Sequence, residues 1–228
     1  MVVLRIAELF HSDQGEGEFA GTPTVFVRTT GCNLRCWFCD TPYTSWNPEG
    51  EQRLWQDVLA DVLRFDCQHV DLTGGEPFLQ PDVVPLTKAL TEAGRFVTIE
   101  TAGTVFRPVH ADLMSISPKL ANSTPQSGIW VERHNRLRDN ADVIRQLCDA
   151  YRYQLKFVID SPADIDGVER WLGRFPEIPP ERVWLMPQAV TAEEVTVKSP
   201  WLSRLAAQRG FRVSPRLHIE RYGNVRGK

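Results

Sequence analysis

No apolar run in this chain approaches the roughly 20 residues that a membrane-spanning helix needs, so no such span is expected. Neither sign of charge prevails. The 26 Lys and Arg residues against 29 Asp and Glu give a net charge of -3, which argues against a nucleic-acid binder working through a basic surface. The N-terminal stretch MVVLRIAELFHSDQGEGE starts apolar but lacks the long apolar stretch and small-residue cleavage site of a signal peptide, and a cytoplasmic location is expected. Internal repeats, low-complexity tracts and linkers are missing, and 228 residues fit a single domain, 1–228, with a sizeable core. Cysteine is scarce and odd in number. Five are present, and three of them (Cys32, Cys36 and Cys39) fall within eight residues. That bunching does not suggest a disulfide framework; in a reducing compartment it suggests a metal or catalytic site.

What is present is alternation. Short β-branched and aromatic runs at 25–28, 69–73, 96–100, 113–117, 155–159, 183–186 and 211–213 are predicted to be buried strands. Between them, apolar residues recur at helical spacing over 54–65, 83–93, 143–151, 165–175 and 201–208. Such alternation implies parallel strands joined by crossovers, in either a partial βα barrel or an open doubly wound sheet. Both place chemistry at the C-terminal ends of the strands. The stretch 29–48 has no periodicity and is predicted to be a long loop, and it carries the three cysteines.

Three thiolates spaced four and three apart can reach three irons of one cubane cluster and leave the fourth iron open for a small molecule. Zinc is an alternative, although a structural zinc site wants four protein ligands. No fourth cysteine is near, and His11 or His69 would have to contribute. Buried structural thiols are the third reading. A second signal is Thr73-Gly74-Gly75-Glu76-Pro77, between a predicted strand and a predicted helix. Its glycines would let backbone approach a ligand, and its carboxylate could accept from an ammonium. Alone it also fits a plain turn.

C-x3-C-x2-C with an aromatic, Phe38, just before the last cysteine is similar to the signature of the radical S-adenosylmethionine superfamily. The glycine segment, about 35 residues on, resembles that superfamily's methionine-binding segment. More specifically, QGEG at 14–17 resembles the opening of the 7-carboxy-7-deazaguanine synthase family. Further matches are GTP at 21–23, FVR at 26–28, CDT at 39–41, ETAGT at 100–104 and SPK at 117–119, then LKFVI at 155–159, MPQ at 186–188, LH at 217–218 and GN at 223–224. They run in order through nearly the whole chain.

The resemblance implies an α/β fold: a partial (incomplete) βα barrel of the radical SAM type with mostly parallel strands. It implies conversion of 6-carboxy-5,6,7,8-tetrahydropterin to 7-carboxy-7-deazaguanine with loss of ammonia, using a [4Fe–4S] cluster, S-adenosylmethionine and Mg2+. By resemblance, Cys32, Cys36 and Cys39 hold the cluster and Thr41 holds magnesium. Phe38, Cys39, Asp40, Gly75, Glu76, Thr101, Ser117, Pro118, Lys119 and Gln188 serve the cofactor. Asp13, Gln14, Gly15, Glu16, Arg28, Thr73 and His218 serve the substrate, with Arg28 paired to its carboxylate. It also implies a flavodoxin or ferredoxin as electron donor and a homodimer, with no nucleic-acid or membrane partner. Outside the resemblance these residues have plainer readings: a solvated arginine at a strand end, a polar turn between two glycines, a terminal histidine at the surface. His11, His69, His110 and His134 are read as structural, and Cys67 and Cys148 as buried small residues. Two rivals are an activase of a glycyl-radical enzyme, which would need a groove for a peptide loop, and a zinc-binding interaction module, which leaves the glycine segment unexplained.

Overall fold

The computed structural model describes residues 3–228. Nine strands form one sheet: β1 (Leu4–Asp13), β2 (Pro23–Thr29), β3 (Glu51–Arg53), β4 (His69–Gly74), β5 (Phe96–Thr101), β6 (Leu113–Ile116), β7 (Tyr153–Ile159), β8 (Val183–Pro187) and β9 (Arg212–Val213). Their order is β3-β1-β2-β4-β5-β6-β7-β8-β9. From β2 to β9 every neighbouring pair is parallel, while β1 pairs antiparallel with both β2 and β3. The sheet does not close, since β3 and β9 are its edges. Eight helices accompany it: α1 (Pro42–Ser45), α2 (Trp55–Leu63), α3 (Val83–Glu92), α4 (Trp130–Leu137), α5 (Ala141–Ala150), α6 (Asp164–Leu172), α7 (Ala192–Ala207) and α8 (Leu217–Tyr222). The mostly parallel, unclosed sheet is the partial barrel expected of the sequence.

The strands explain themselves by alternation. Val25 and Val27, Val70 and Leu72, Val97 and Ile99, Met114 and Ile116, Leu155 and Phe157, and Val183 and Leu185 are all buried in one continuous hydrophobic core with the helices. Their neighbours in sequence point to the other face and are polar: Arg28, Thr73, Glu100, Ser115 and Lys156 line a cavity. Adjacent side chains of a strand lie on opposite faces. One side of the sheet therefore packs on helices and the other forms a polar interior. The runs predicted to be buried strands are buried, with the polar side chains among them turned to the inner face. A charged residue inside an otherwise apolar strand, such as Asp71 in HVDLT or Lys156 in LKFVI, marks the inner face.

Besides the short α1, β3 and α8, three longer elements depart from the predicted set. β1 is absent from it, because its LRIAELFHSD pattern alternates only loosely. α4 lies in a stretch that matches no motif. α7 begins at Ala192, before Pro200, rather than at 201. A capping box starts it: Thr191 Oγ1 accepts from the Glu194 amide at 3.2 Å, and the Glu194 carboxylate accepts from the Thr191 amide at 3.2 Å. Between β5 and β6 no helix forms, so the alternation is interrupted there.

Candidate active site

The three cysteines lie beyond the C-terminal end of β2, in the long loop expected from the sequence, with α1 and β3 as its only regular parts up to residue 53. Cys32, Cys36 and Cys39 pack with Leu34, Phe38 and Ala102 in a small apolar cluster of their own. None is in a disulfide. Burial pushes the thiols of Cys32 and Cys36 up to about 12 and raises that of Cys39. Only a metal would draw them into the thiolate form at neutral pH. Cys39 Sγ lies 3.2 Å from Ser45 Oγ and 3.8 Å from Thr41 Oγ1. Three cysteines packed into one apolar cluster, Cys36 buried and Cys32 and Cys39 half-buried, with no fourth cysteine in that cluster, fit an iron–sulfur cluster with one open iron better than a four-ligand zinc site.

The loop is fastened from several sides. Arg35 Nη1 donates to the carbonyls of Cys32 and Leu34 at 2.8 and 2.7 Å. The Arg35 amide donates to His134 Nδ1 at 3.1 Å, and His134 Nε2 lies 2.9 Å from Ser123 Oγ. His134 is thus structural in a specific way, since it ties α4 to the cysteine loop. Gly31 and Gly75 meet back to back. A Cβ built on Gly75 would lie 2.2 Å from the Gly31 carbonyl oxygen, so only glycine fits.

A cavity of about 420 Å3 opens from this nest into the polar interior. Its wall includes Asp13, Gln14, Gly15, Glu16, Arg28, Phe38, Cys39, Asp40, Thr41, Thr73, Gly75, Thr101, Ser117, Lys119, Gln188 and His218, so the structure brings nearly all the expected site residues together. Two depart. The Glu76 carboxylate is fully buried behind the wall, where it accepts from Thr101 Oγ1 at 2.8 Å, the Ala102 amide at 2.9 Å and the Phe78 amide at 3.2 Å. It braces the turns rather than facing a ligand. Pro118 also lies outside the lining. Lys119 folds back onto Ser117, with Nζ 2.5 Å from Ser117 Oγ and 3.0 Å from its carbonyl. Lys198 Nζ holds Gln188 through Oε1 at 3.0 Å and the carbonyl at 2.7 Å.

The interior carries an alternating charge network that no sequence motif announces. Lys156, 4% exposed, bridges Glu16 and Glu100, with 2.9 Å to Glu100. Arg216 sits between Glu16, at 3.3 Å, and Asp40. His218 Nε2 is 3.9 Å from Glu16 and 3.5 Å from Arg216 Nη2. Burial alone would raise the Glu16 carboxyl, but the Lys156 and Arg216 cations hold it far below the usual carboxylate range. Burial lowers the His218 imidazole, so it stands neutral at pH 7. Glu16, Asp40 and His218 offer ligand atoms within 4.8 Å of one another, yet the Arg216 guanidinium already serves both carboxylates there.

Beneath them, Gln14 Nε2 donates to Asp71 Oδ2 at 2.5 Å while Gln14 Oε1 accepts from the Glu16 amide at 3.0 Å, which fixes the Gln14 amide. Thr73 Oγ1 donates to Glu100 at 2.9 Å. Arg28 Nε donates to Glu8 at 2.8 Å, and its Nη groups have no protein acceptor among the described residues. Asp13, at the end of β1, pairs with Arg221 on α8. Gly15 lies so near His218 that a Cβ would be 2.0 Å from Nδ1. Lys156 and Glu100 fall inside the LKFVI and ETAGT matches, so a charged residue in a buried strand was the available signal. Arg216, in an irregular tail, gave none.

A model of the Radical SAM superfamily matches residues 26–161. Among relatives, the 7-carboxy-7-deazaguanine synthase of Rhodopirellula baltica is 44% identical over 98% of this chain and 88% of its own length. The synthase of Halobacterium salinarum is 44% identical over 95% of this chain and 89% of its own. This chain belongs to the 7-carboxy-7-deazaguanine synthase family. Among solved structures, QueE from Escherichia coli superposes with a TM-score of 0.70 over 93% of each chain at 24% identity, which supports the fold. SuiB from Streptococcus suis matches with a TM-score of 0.57, over 83% of this chain and 47% of its own. The radical SAM family brings a [4Fe–4S] cluster and S-adenosylmethionine.

Proposed function

We propose that this chain converts 6-carboxy-5,6,7,8-tetrahydropterin to 7-carboxy-7-deazaguanine, with release of ammonia and contraction of the pyrazine ring to a pyrrole. The observation that carries this reading is kinship at 44% identity over 98% of the chain combined with three thiols that line one cavity with acids, bases and amides. When bound, the cluster and S-adenosylmethionine supply a 5′-deoxyadenosyl radical for hydrogen abstraction.

The chain's own residues bind and orient. Cys32, Cys36 and Cys39 would ligate the cluster. The backbone at Gly75, with Phe38, Thr101, Ser117, Lys119 and Gln188, would seat the sulfonium cofactor, and Glu76 and Pro118 would hold the wall behind it. Gln14 and Glu16 present an amide and a carboxylate suited to the donor and acceptor edges of a 2-amino-4-oxo ring. The free Nη groups of Arg28 would take the substrate carboxylate in a charge-assisted pair. Neutral His218, Thr73 and the Gly15 backbone would close round the ring, and Asp13 would anchor α8 over it. Lys156 keeps Glu16 ionised and pairs with Glu100, which fixes the hydrogen-bonding character of the inner wall.

Thr41 would offer a single hydroxyl to a magnesium ion, a thin protein site that would hold the metal weakly without substrate. Removing magnesium is therefore expected to slow turnover more than it weakens cofactor binding, and the opposite pattern would take Thr41 out of this role. A single domain over 1–228, a flavodoxin or ferredoxin donor, a homodimer and a cytoplasmic location complete the proposal. Among the described residues no helix is long and apolar enough to cross a membrane. Anaerobic incubation of the reduced enzyme with the pterin and S-adenosylmethionine should give a carboxydeazaguanine by mass. Cofactor cleavage without that product would favour the glycyl-radical activase instead.

A further inference from the structure

The cluster must receive an electron from outside the chain, and the surface over its loop is unusual in two respects. It is apolar where a free surface would be polar: Trp37, between the second and third cysteines, is 42% exposed, and Ile129, at the start of α4, is 90% exposed. It is also basic within a chain of net charge -3. Residues 129–138 carry three arginines against one acid, Glu132, with Arg133 and Arg136 exposed. The face is built onto the cysteine loop. The Trp37 indole donates to the Asn122 carbonyl at 2.6 Å, and the Trp130 ring lies 4.0 Å from the Arg35 guanidinium on one side and 4.6 Å from that of Arg133 on another. Neither Trp37 nor Ile129 lines the cavity.

We infer that the face formed by Trp37, Ile129 and the arginines of α4 docks a small electron-carrier protein with an acidic surface, which reduces the cluster there without occupying the cavity. A basic patch draws an acidic partner and speeds encounter, and an apolar centre rimmed by charge has the layout of a transient interface. A second copy of the chain is the less suitable occupant. A two-fold interface would set this patch against itself and oppose Arg133 and Arg136 to their own copies. The inference rests on membership of the radical SAM family and not on the identity of the pterin.

The test uses the cluster-loaded enzyme without pterin. Bleaching of the cluster absorbance is followed after mixing with reduced flavodoxin, and in parallel with dithionite, for the wild type, R133E/R136E and I129D. Flavodoxin reduction should slow at least about tenfold in R133E/R136E and lose most of its salt dependence. I129D should slow it too, while dithionite rates and S-adenosylmethionine binding stay unchanged. Wild-type rates in both variants with flavodoxin would overturn the inference. So would equal slowing with dithionite, which reports a damaged loop, or loss of a dimer in I129D, which assigns the face to a second copy.

Discussion

At the scale of the residue, two positions carry consequences out of proportion to their size. Lys156 is nearly inaccessible and pairs with two carboxylates at once. Removing one partner of a buried ionic network strands the other charges, which costs more than the network itself contributes. Lys156→Met keeps most of the volume and leaves Glu16 with Arg216 alone. It is expected to cost about 3–5 kcal/mol at pH 7.5 by urea unfolding, and to recover part of that loss at pH 5, where Glu16 takes up a proton. A loss that does not shrink on acidification would mean that packing, not charge, is the role of this lysine. Gly75 is the second position, because the Gly31 carbonyl occupies the space of a Cβ and the neighbouring atoms are backbone. Gly75→Ala should push the cysteine loop away and lower iron per chain after anaerobic reconstitution to under about half, an effect of strained backbone that side-chain repacking cannot absorb. Iron content equal to wild type would show that the loop can shift without losing its ligand geometry.

At the scale of the element, legibility follows periodicity. The parallel strands and the helices α2, α3, α5 and α6 are readable because each repeats its apolar pattern at one clear spacing. Pro200 hides the first half of α7: a proline in a helix removes a hydrogen bond and reads from sequence as a boundary. The capping box at Thr191 and Glu194 is the stronger signal and marks where the helix starts. Thr191→Ala should lower stability by about 1 kcal/mol in thermal unfolding while cofactor cleavage stays at the wild-type rate, since Thr191 does not line the cavity. α4 is illegible for another reason. WVERHNRL buries only His134 fully, so it has almost no apolar face to detect, and polar bonds to the cysteine loop hold it there. The cysteines, the glycine turn and QGEG are legible as motifs. What joins them, the run from Asp71 through Lys156 to Arg216, depends on which face of a strand points inward and on a tail folded back across the barrel, and spacing along the chain encodes neither.

At the scale of the whole molecule, the fold puts its hydrophobic core on one side of the sheet and its chemistry on the other, so the interior concentrates titratable groups whose protons are linked to folding. Their signs can be followed separately. Burial lowers His134 to about 4 and lowers His218 too, so the unfolded chain binds protons below pH 6.5 that the folded one refuses, and stability falls with pH through that window. Glu16, through Lys156 and Arg216, and Asp40, through Arg216, are held below their ordinary values against the pull of burial, so their contribution is complete above about pH 4.5 and fades only below it. Asp71 runs the other way. Burial and nearby Glu100 raise its carboxyl well above the usual range, and one of its oxygens has no hydrogen-bond partner among the described residues, so it favours the folded state in acid. Between pH 7 and 5 the histidines therefore take stability away as acid is added, while Asp71 opposes them. His134 is fully buried, and its shift converts to about 2 kcal/mol lost over that interval. His134→Gln retains an acceptor for the Arg35 amide and a donor for Ser123 but cannot titrate. Its stability at pH 7 should lie within about 1 kcal/mol of wild type, and its decline toward pH 5, measured by urea unfolding, should be shallower by about 2 kcal/mol. Parallel pH profiles for the two proteins would show that the proton taken up on acid unfolding is bound elsewhere in the interior, with His218 the next residue to replace.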